Sequence, residues 1–422
     1  MKKIKIGLLG LGVVGSGSID LLRSSALKIK ELYHVELIIS KALAHSQASI
    51  DKREGLDDFN LTLDIDDIIN DPEIAIVLEL MGTIEPAKSY IMKALKAHKH
   101  VISANKDLIA QHGMELITCA NDNKVSFYYE AAVCGGIPLL RTITNSYASD
   151  DINKVIGIVN GTTNYILTKM NEERVSYEVA LLEAQRLGFA ESDPTNDVLG
   201  YDAAFKMGIL TYFAYGMFLK QEDIIKDGIT NIKVDDLEYA TNNEYLIKLV
   251  GSSIKYSEGI YVEVMPTLIN KKHLLAHVNN EMNGVYIYSN ALKEALYYAP
   301  GAGALPTANS VISDVLQVVK DINNNTYQRF NHYNKPVSLA SNQEIIASYY
   351  FNIKINKLDD LKSLIAQVSN AKMITNVTYK EIDDNKQGYF IIKDINNNEC
   401  ECFTKNIINI NGEIINKFKV ID

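Results

Sequence analysis

The stretch KKIKIGLLGLGVVGSGSIDLL, residues 2–22, decides the fold that we expect for this chain. It begins with a short apolar strand, residues 4–9, and a helical pattern follows residue 15. Between them lies a G-x-G-x-x-G turn, in which the first glycine permits the bend, the second admits a pyrophosphate and the third lets helix and strand pack. The turn predicts a dinucleotide site formed by Gly10, Leu11, Gly12, Val13, Val14 and Gly15.

Strand and helix patterns keep alternating after this turn. VELIISKALA, IAIVLELMG, KHVISAN and VSFYYEAAV are strand-like, and helical segments separate them. This order predicts an α/β fold, a doubly wound Rossmann-type parallel sheet over residues 1–131 that residues 301–325 complete. Ligands of such sheets bind at the carboxyl ends of the strands. The further cofactor-binding candidates at those ends, and before the helix near residue 305, are Thr83, Ser103, Lys106, Gly301 and Gly303.

The choice of cofactor is encoded after the second strand, where an acid binds a ribose hydroxyl and a base accepts a 2′-phosphate. This chain has Ala44-His45-Ser46 there and no acid, and Lys41, Lys52 and Arg53 are near in sequence. We therefore expect NADP or NAD, with NADP favoured.

Composition excludes several classes of protein. The chain has 422 residues, a formal net charge of -10 and no lysine- or arginine-rich run, which argues against nucleic-acid and anionic-membrane partners. The four cysteines have no disulfide-framework spacing, so reduced thiols in a cytoplasmic protein are expected. Residues 198–219 are apolar enough to suggest a membrane span, but Asp202 and Lys206 favour a buried core helix.

Asp202 and Lys206 are the only charged residues between Val198 and Leu219, and their spacing places them on one face of a helix. An ordinary surface ion pair is the alternative, but a solvated face would carry more polar residues. We therefore predict a buried pair lining a polar pocket, with Glu191 and Asp197 arriving from the preceding loop. A second polar cluster offers hydroxyls and helix N-terminal amides to a carboxylate, or simply caps a helix: Asn160, Gly161, Thr162 and Thr163.

Several segments together resemble the signature segments of homoserine dehydrogenases: SANKDLIA, EAAVCGGIP, GIVNGTTNYIL, FAESDPTNDVLGYDAAFK and PGAGALPTANSVISDVL. The resemblance covers about residues 1–320. It implies NAD(P)-dependent, reversible reduction of L-aspartate 4-semialdehyde to L-homoserine, on the route to threonine, methionine and isoleucine. By the same resemblance Lys206 is the proton donor, Asp202 and Glu191 hold the substrate with Asp197 beside them, and Lys106 lies between cofactor and substrate.

The resemblance also implies a sodium ion. The backbone carbonyls of Glu130, Val133, Gly135 and Ile137 match those that bind sodium in the family. Cys134 departs from the family pattern, in which many members have glycine at this position. We interpret this cysteine as a small buried residue.

The remaining chain divides into three parts in our interpretation. Residues 132–300 form a catalytic and dimerisation domain of α+β type, residues 326–344 a linker, and residues 345–422 a βαββαβ ferredoxin-like module. Such a module resembles the ACT domain that ends many homoserine dehydrogenases, although Asn356–Asp359 replaces the usual Asp-Arg-Pro-Gly loop. The expected partners are the small-molecule substrate and further copies of the chain, in a homodimer or homotetramer.

Two other functions compete with this one. A non-catalytic dinucleotide-sensing protein with an amino-acid-binding tail would use Asp202 and Lys206 only as structure. A semialdehyde dehydrogenase that makes acyl phosphates needs a nucleophilic cysteine, and Cys134, the only candidate near the cofactor face, lies in an unsuitable glycine loop. His273 and His277 lack the glutamate of a zinc-protease motif and are interpreted as structural.

Overall fold

The glycine turn joins strand β1 (Lys2–Leu9) to helix α1 (Val13–Tyr33). Ile6, Leu8 and Leu9 of the strand are completely buried, because the strand is central in its sheet. The helix ends at His34, whose left-handed backbone lets its N–H donate to the carbonyl of Lys30. The strand–turn–helix unit predicted from the sequence is therefore present.

The structure is a computed structural model that describes residues 1–46, 58–328, 338–369, 374–382 and 385–422. They divide into two compact units. The first comprises Met1–Ser149, Gly208–Gln221 and Ala299–Lys335, and the second comprises Asp150–Met207, Glu222–Tyr298 and Pro336–Asp422. Our expected domain boundaries, at residues 131, 300, 326 and 344, remain predictions.

Strands and helices alternate along much of the chain. After β1 the strands are β2 (Val35–Leu43), β3 (Asn60–Thr62), β4 (Ile74–Glu79), β5 (His100–Ser103), β6 (Phe127–Tyr128), β7 (Ile152–Ile158), β8 (Ile225–Lys226), β9 (Tyr245–Lys255), β10 (Ile260–Asn270), β11 (Met282–Ser289), β12 (Lys293–Pro300), β13 (Ile346–Ile355), β14 (Ile374–Ile382), β15 (Asn385–Asn396) and β16 (Glu413–Ile421). After α1 the helices are α2 (Asp66–Ile69), α3 (Ala87–Lys96), α4 (Lys106–Asp122), α5 (Leu140–Ser146), α6 (Gly161–Glu173), α7 (Tyr177–Arg186), α8 (Thr195–Val198), α9 (Tyr201–Tyr215), α10 (Val234–Asn242), α11 (Ala304–Asn324), α12 (Leu358–Ser369) and α13 (Asn397–Asn409).

The first unit contains a six-stranded sheet in the order β3-β2-β1-β4-β5-β6, and every pairing in it is parallel. The strand order reverses between β1 and β4, so the ligand crevice of this fold is expected at the carboxyl ends of these two strands. Helices α1 and α11 cover one face, where their apolar side chains join those of the sheet in one core that includes Ile19, Val311 and Val315. This confirms the predicted parallel Rossmann-like sheet.

One predicted strand is much shorter than the sequence indicated. VSFYYEAAV, residues 125–133, forms only the two-residue strand β6 and then a 3₁₀ turn at Glu130–Ala132. The backbone N–H of Glu130 donates to Asp314 Oδ2 on α11 at 2.9 Å, so it does not continue a ladder of strand hydrogen bonds. Apolar alternation alone could not predict this, because the competing acceptor comes from a distant part of the chain.

The second unit contains a mixed sheet in the order β12-β11-β7-β9-β10-β16-β13-β15-β14, and β8 also pairs with β10. Strand β16 pairs in parallel with β10 and antiparallel with β13. The C-terminal residues follow the order strand, helix, strand, strand, helix, strand, and their own core includes Phe351, Phe390 and Phe403. The C-terminal strands therefore extend the sheet of the second unit.

The apolar stretch 198–219 is not one long helix. Gly200 has a φ of 81° and separates the short helix α8 from α9, which spans 15 residues. Within the described residues, we find no helix with the length and apolar character needed to cross a membrane.

Lys248 on β9 is a fully buried lysine whose ammonium binds neutral oxygens. Four oxygens lie within hydrogen-bond distance of its Nζ: Asn164 Oδ1 at 3.1 Å, Thr168 Oγ1 at 3.3 Å, Val278 O at 2.8 Å and Asn279 Oδ1 at 3.0 Å. Burial lowers the pKa of this ammonium to about 7. These contacts attach helix α6 and the segment after His277 to the sheet.

This lysine predicts a pH dependence of stability. Between about pH 7 and pH 10 the unfolded chain binds more protons at Lys248 than the folded chain does, so the free energy of unfolding should increase with pH. In this pH range the free energy of unfolding of the wild type, relative to that of Lys248→Met, should increase by up to about 1.4 kcal/mol per pH unit. Urea unfolding at several pH values measures this. The control Lys169→Met, whose ammonium pairs with Glu173 and Glu183, should follow the wild-type slope, and parallel curves for Lys248→Met and wild type would contradict the expectation.

Candidate active site

The turn at residues 10–15 has the shape that a dinucleotide requires. Gly10 has a φ of 98°, and a Cβ there would lie 2.6 Å from the carbonyl oxygen of Leu80. A Cβ on Gly15 would lie 2.2 Å from the carbonyl oxygen of Gly10. At exposed Gly12, by contrast, a Cβ would meet nothing within 4 Å. The outer two glycines close the turn, and the middle one leaves open space at the N-terminus of α1 for a pyrophosphate.

The carboxyl ends of β4 and β5 present the loop at Thr83 and the start of α4, where Lys106 is the first helical residue. Asn105 caps this helix, because its Oδ1 accepts from the N–H of Leu108 at 3.2 Å. Its Nδ2 donates to the carbonyl of Thr83 at 2.7 Å. Thr83, Ser103 and Lys106 therefore lie on two loops that are linked to each other, and the linking residue, Asn105, was not identified from the sequence.

The loop before α11 packs against the same region of the first unit. A Cβ on Gly17 of α1 would lie 2.8 Å from the carbonyl oxygen of Ala304, and one on Gly135 would lie 2.9 Å from that of Gly301. Gly303 has a φ of 118°, which a side chain would strain. The structure thus brings Gly301 and Gly303 close to α1 and to the loop at residues 133–137.

The loop at residues 130–137 carries the carbonyls that were predicted to bind sodium. Cys134 is buried with a φ of 50°, and its carbonyl accepts from the N–H of Ile137 at 2.7 Å. The carbonyl of Gly135 accepts from Ser310 Oγ at 2.6 Å. Backbone oxygens are the ligands of a hard cation, and a carbonyl with one hydrogen bond retains a second lone pair. The donor types of Glu130, Val133, Gly135 and Ile137 therefore fit such an ion.

Beneath this loop lies a group of buried charges that the sequence did not reveal. Asp314 accepts from the guanidinium of Arg141, and Glu130 accepts from the N–H groups of Leu140 and Arg141 at 2.7 and 2.8 Å. Burial raises the pKa of Asp314 to about 7, and burial also raises the pKa of Glu130. Arg141 is the cation that compensates both acids.

A shallow pocket that is open to solvent adjoins these charges. Its lining is partly aromatic, from Tyr128, Tyr129 and Phe213, and partly polar, from Arg141, Thr144 and Asn145. All of these residues belong to the first unit.

In the second unit, Asp202 and Lys206 on α9 form the predicted pair. Lys206 Nζ lies 2.7 Å from Asp202 Oδ2 and donates to the carbonyl of Val159 at 2.8 Å. The exposed fractions of the two residues are 6% and 9%. The pair is therefore buried, as its apolar surroundings in the sequence indicated, and is not a solvated surface ion pair.

Asn160 connects this pair to the loop before it. Its Nδ2 donates to Asp197 Oδ1 at 2.6 Å and to Asp202 Oδ2 at 2.8 Å, while its Oδ1 accepts from the N–H and the hydroxyl of Thr163, both at 2.8 Å. Asn160 is thus both the cap of α6 and the bridge between two carboxylates. The capping and binding interpretations of this segment are compatible.

The neighbouring residues of α6 have different surroundings. A Cβ on Gly161 would lie 2.7 Å from the carbonyl oxygen of Glu281, so only glycine fits. Thr162 Oγ1 donates to the carbonyl of Phe189 at 2.8 Å. Glu191 is exposed, and its carboxylate has no hydrogen-bond partner within the described part of the chain. Asn160, Asp197, Asp202 and Lys206 are therefore brought into one cluster, and Glu191 remains a carboxylate open to a ligand.

The basic residues that were predicted to favour NADP have different surroundings in the structure. Lys41 does not lie free for a phosphate, because its Nζ is 2.9 Å from Asp71 Oδ2 and donates to the carbonyl of Asp67. His45 is exposed just after β2. Lys52 and Arg53 lie outside the described residues.

The remaining candidates have structural surroundings. His273 caps a 3₁₀ turn, where its Nδ1 accepts from the N–H of Leu275 at 3.2 Å, so HLLAH does not form the α-helical face of a metal motif. Within the described residues we find no cluster of His, Cys, Asp and Glu suited to a metal. Cys134 is fully buried, which does not suit a nucleophile.

A glycine turn at the carboxyl edge of a parallel sheet, together with a buried lysine–carboxylate pair, defines the class: a dinucleotide-dependent oxidoreductase. Family models described as "Homoserine dehydrogenase, NAD binding domain" and "Homoserine dehydrogenase" match residues 10–130 and 138–316. The chain belongs to the homoserine dehydrogenase family and is an NAD(P)-dependent oxidoreductase.

The similarity extends along most or all of the chain. The homoserine dehydrogenase of Lactococcus lactis subsp. lactis is 45% identical over 353 residues, which are 83% of this chain and 82% of that protein. That of Helicobacter pylori is 34% identical over 426 residues, covering 100% of this chain and 97% of that protein. The crystal structure of a homoserine dehydrogenase from Thiobacillus denitrificans has a TM-score of 0.91 and 31% identity, covering 100% of this chain and 99% of that one.

Proposed function

We propose that this enzyme reduces L-aspartate 4-semialdehyde to L-homoserine, in the biosynthesis of threonine, methionine and isoleucine. The observation that carries this proposal is the buried ammonium of Lys206, which Asp202 Oδ2 and the carbonyl of Val159 hold at 2.7 and 2.8 Å. A positioned ammonium of this kind serves as a general acid for a carbonyl that is becoming an alkoxide.

The reduced nicotinamide cofactor, when bound, supplies a hydride to the aldehyde carbon. Lys206 donates a proton to the aldehyde oxygen and stabilises the negative charge that develops there. Asp202 lies one helical turn before Lys206 on α9, and its carboxylate holds the ammonium of Lys206 in place. Lys106, the first residue of α4 in the first unit, is assigned to the same reaction as a second catalytic cation.

The substrate's own charges match the polar groups of the second unit. Its α-ammonium requires carboxylates, which Glu191 and Asp197 supply with Asp202. Its α-carboxylate requires donors, and the N-terminus of α6 offers the N–H groups of Gly161 and Thr162, because the N–H and the hydroxyl of Thr163 already donate to Asn160 Oδ1. Asn160 holds the carboxylates and the N-terminus of α6 in fixed positions relative to each other, because its side chain contacts both Asp202 and the N–H of Thr163.

Three finer features also belong to this proposal. Sodium, when bound, would be held by the carbonyls of Glu130, Val133, Gly135 and Ile137 and would fix that loop electrostatically. The C-terminal module is an ACT-like domain, which its strand and helix order supports. The enzyme is a homodimer or homotetramer located in the cytoplasm.

Cofactor preference gives the first experimental check. Because no acid stands directly after β2, at residues 44–46, to bind a ribose hydroxyl, we expect the ratio kcat/KM to be higher with NADPH than with NADH. Initial rates of semialdehyde reduction with each cofactor measure this. An efficiency with NADH about ten times that with NADPH, which is about 1.4 kcal/mol in the opposite direction, would reverse the assignment.

The same assay separates the enzyme from a non-catalytic sensor. A sensor would bind the cofactor without oxidising it in the presence of L-aspartate 4-semialdehyde. Oxidation of NADPH that depends on the semialdehyde, with L-homoserine as the product, would support the proposed reaction.

A further inference from the structure

Glu79, the last residue of β4, is a fully buried carboxylate that the proposed reaction does not use. Its Oε1 accepts from the N–H of Met81 at 2.9 Å, and its Oε2 accepts from Ser103 Oγ at 2.6 Å. Within the described residues, no cation pairs with it. Burial raises the pKa of Glu79, and the donors around it oppose this rise. An unpaired buried carboxylate is costly, so its presence at this position calls for a physical reason.

The position of Glu79 supplies that reason. It lies at the carboxyl end of β4, where the strand order of the sheet reverses and dinucleotides bind in this class of fold. Its two oxygens reach two different loops. One oxygen holds the loop that follows β4, which includes Thr83, and the other holds Ser103, at the end of β5.

Further hydrogen bonds close these contacts into a ring. Ser103 Oγ accepts from the N–H of Asn105 at 3.1 Å, and Asn105 Nδ2 donates to the carbonyl of Thr83 at 2.7 Å. The loop after β4 is also held by the N–H of Leu80, which donates to the carbonyl of Leu9 at 2.8 Å, just before the glycine turn. The ring runs from Glu79 through Ser103 and Asn105 to Thr83, and returns to Glu79 through the backbone of Met81. Asn105 is the residue immediately before the helix that begins at Lys106.

We propose that Glu79 is a positioning residue that fixes the loop at Met81–Thr83 and the start of α4 in the geometry needed for binding the dinucleotide. It acts through Ser103, Asn105 and Met81 and does not touch the cofactor. The proposal rests on the cofactor-binding role assigned to these loops. A single carboxylate suits this task because it accepts from two donors at once. The two donors follow different strands, and the segment that contains α3 separates these strands in the sequence.

Three substitutions separate positioning from plain stability. Glu79→Asp keeps the charge but shortens the side chain by one methylene, so one carboxylate no longer spans Met81 and Ser103. Glu79→Gln keeps the length: its amide oxygen accepts from Met81, and its amide group donates to the second lone pair of Ser103 Oγ. Lys99→Met is the matched control, because Lys99 is 4% exposed and binds the carbonyls of Asp71 and Ile74 at the opposite end of the same strand.

The measurement is the Kd for NADPH, and in parallel for NADH, by fluorescence titration without substrate, together with the thermal midpoint of each variant. We expect Glu79→Asp to weaken NADPH binding by about tenfold or more, equal to about 1.4 kcal/mol. Glu79→Gln should restore binding to within about threefold of wild type, and Lys99→Met should lower the thermal midpoint while leaving the Kd unchanged.

Three results would overturn the proposal: a Kd for Glu79→Asp within threefold of wild type, equal losses in the Asp and Gln variants, or an equal loss in Lys99→Met. Failure of wild type to bind either dinucleotide would overturn it as well. Because this titration contains no semialdehyde, a wild-type protein that binds NADPH but does not reduce the semialdehyde would refute the proposed reaction and leave the role of Glu79 standing.

Discussion

Replacing Lys206 with alanine should lower the turnover of L-aspartate 4-semialdehyde by about 10²–10⁴-fold, which is the usual contribution of a general acid. The loss is expected because the ammonium held by Asp202 and the carbonyl of Val159 would no longer reach the developing alkoxide. The affinity for NADPH should change little, since Lys206 belongs to the second unit and the glycine turn to the first. Single-turnover rates and a separate NADPH titration measure the two effects.

The control for this experiment is Lys169→Ala. Lys169 lies on α6 of the same unit and pairs with Glu173 and Glu183, so its removal tests the general loss of a lysine there. Its turnover should remain near the wild-type value. If folded Lys206→Ala retained turnover within about threefold of wild type, far from the loss of a general acid, the pair on α9 would be a packing device.

Replacing Arg141 with methionine should destabilise the protein by about 3–5 kcal/mol, the usual cost of removing one partner of a buried ion pair. Asp314 and Glu130 have exposed fractions of 1% and 3%, and Arg141 is the cation that compensates both. Without it the pKa of Asp314, which burial already raises to about 7, should rise further. The free energy of unfolding, measured with urea at neutral pH, records the loss.

Two comparisons test the cause of this loss. Adding Asp314→Asn to Arg141→Met should recover part of the stability, because one uncompensated carboxylate is removed. Lys88→Met breaks a pair with half-exposed Glu115 at 2.8 Å in the same unit, and it should cost only about 0–1 kcal/mol. Equal costs for Arg141→Met and Lys88→Met would show that burial of the acids does not determine the effect.

Local sequence patterns predicted much of the fold and part of the site. The glycine spacing at residues 10–15 predicted the turn, since Gly10 and Gly15 are required by close contacts with Leu80 and with Gly10 itself, and Gly12 leaves open space. The i,i+4 spacing of Asp202 and Lys206 on an apolar stretch predicted a buried pair, and the two atoms lie 2.7 Å apart. The assignments of individual residues to substrate, cofactor and sodium remain predictions for the experiments above.

The sequence by itself therefore determined the features that depend on neighbours along the chain: the parallel alternation, the glycine turn and the lysine–carboxylate pair. Only the tertiary structure revealed the groups whose partners are distant in sequence. Glu79 meets Ser103, Glu130 meets Asp314, and Lys248 meets Val278. Within a single sequence each looks like an ordinary strand residue, because the free energy that retains a buried charge comes from donors and acceptors that folding alone brings together.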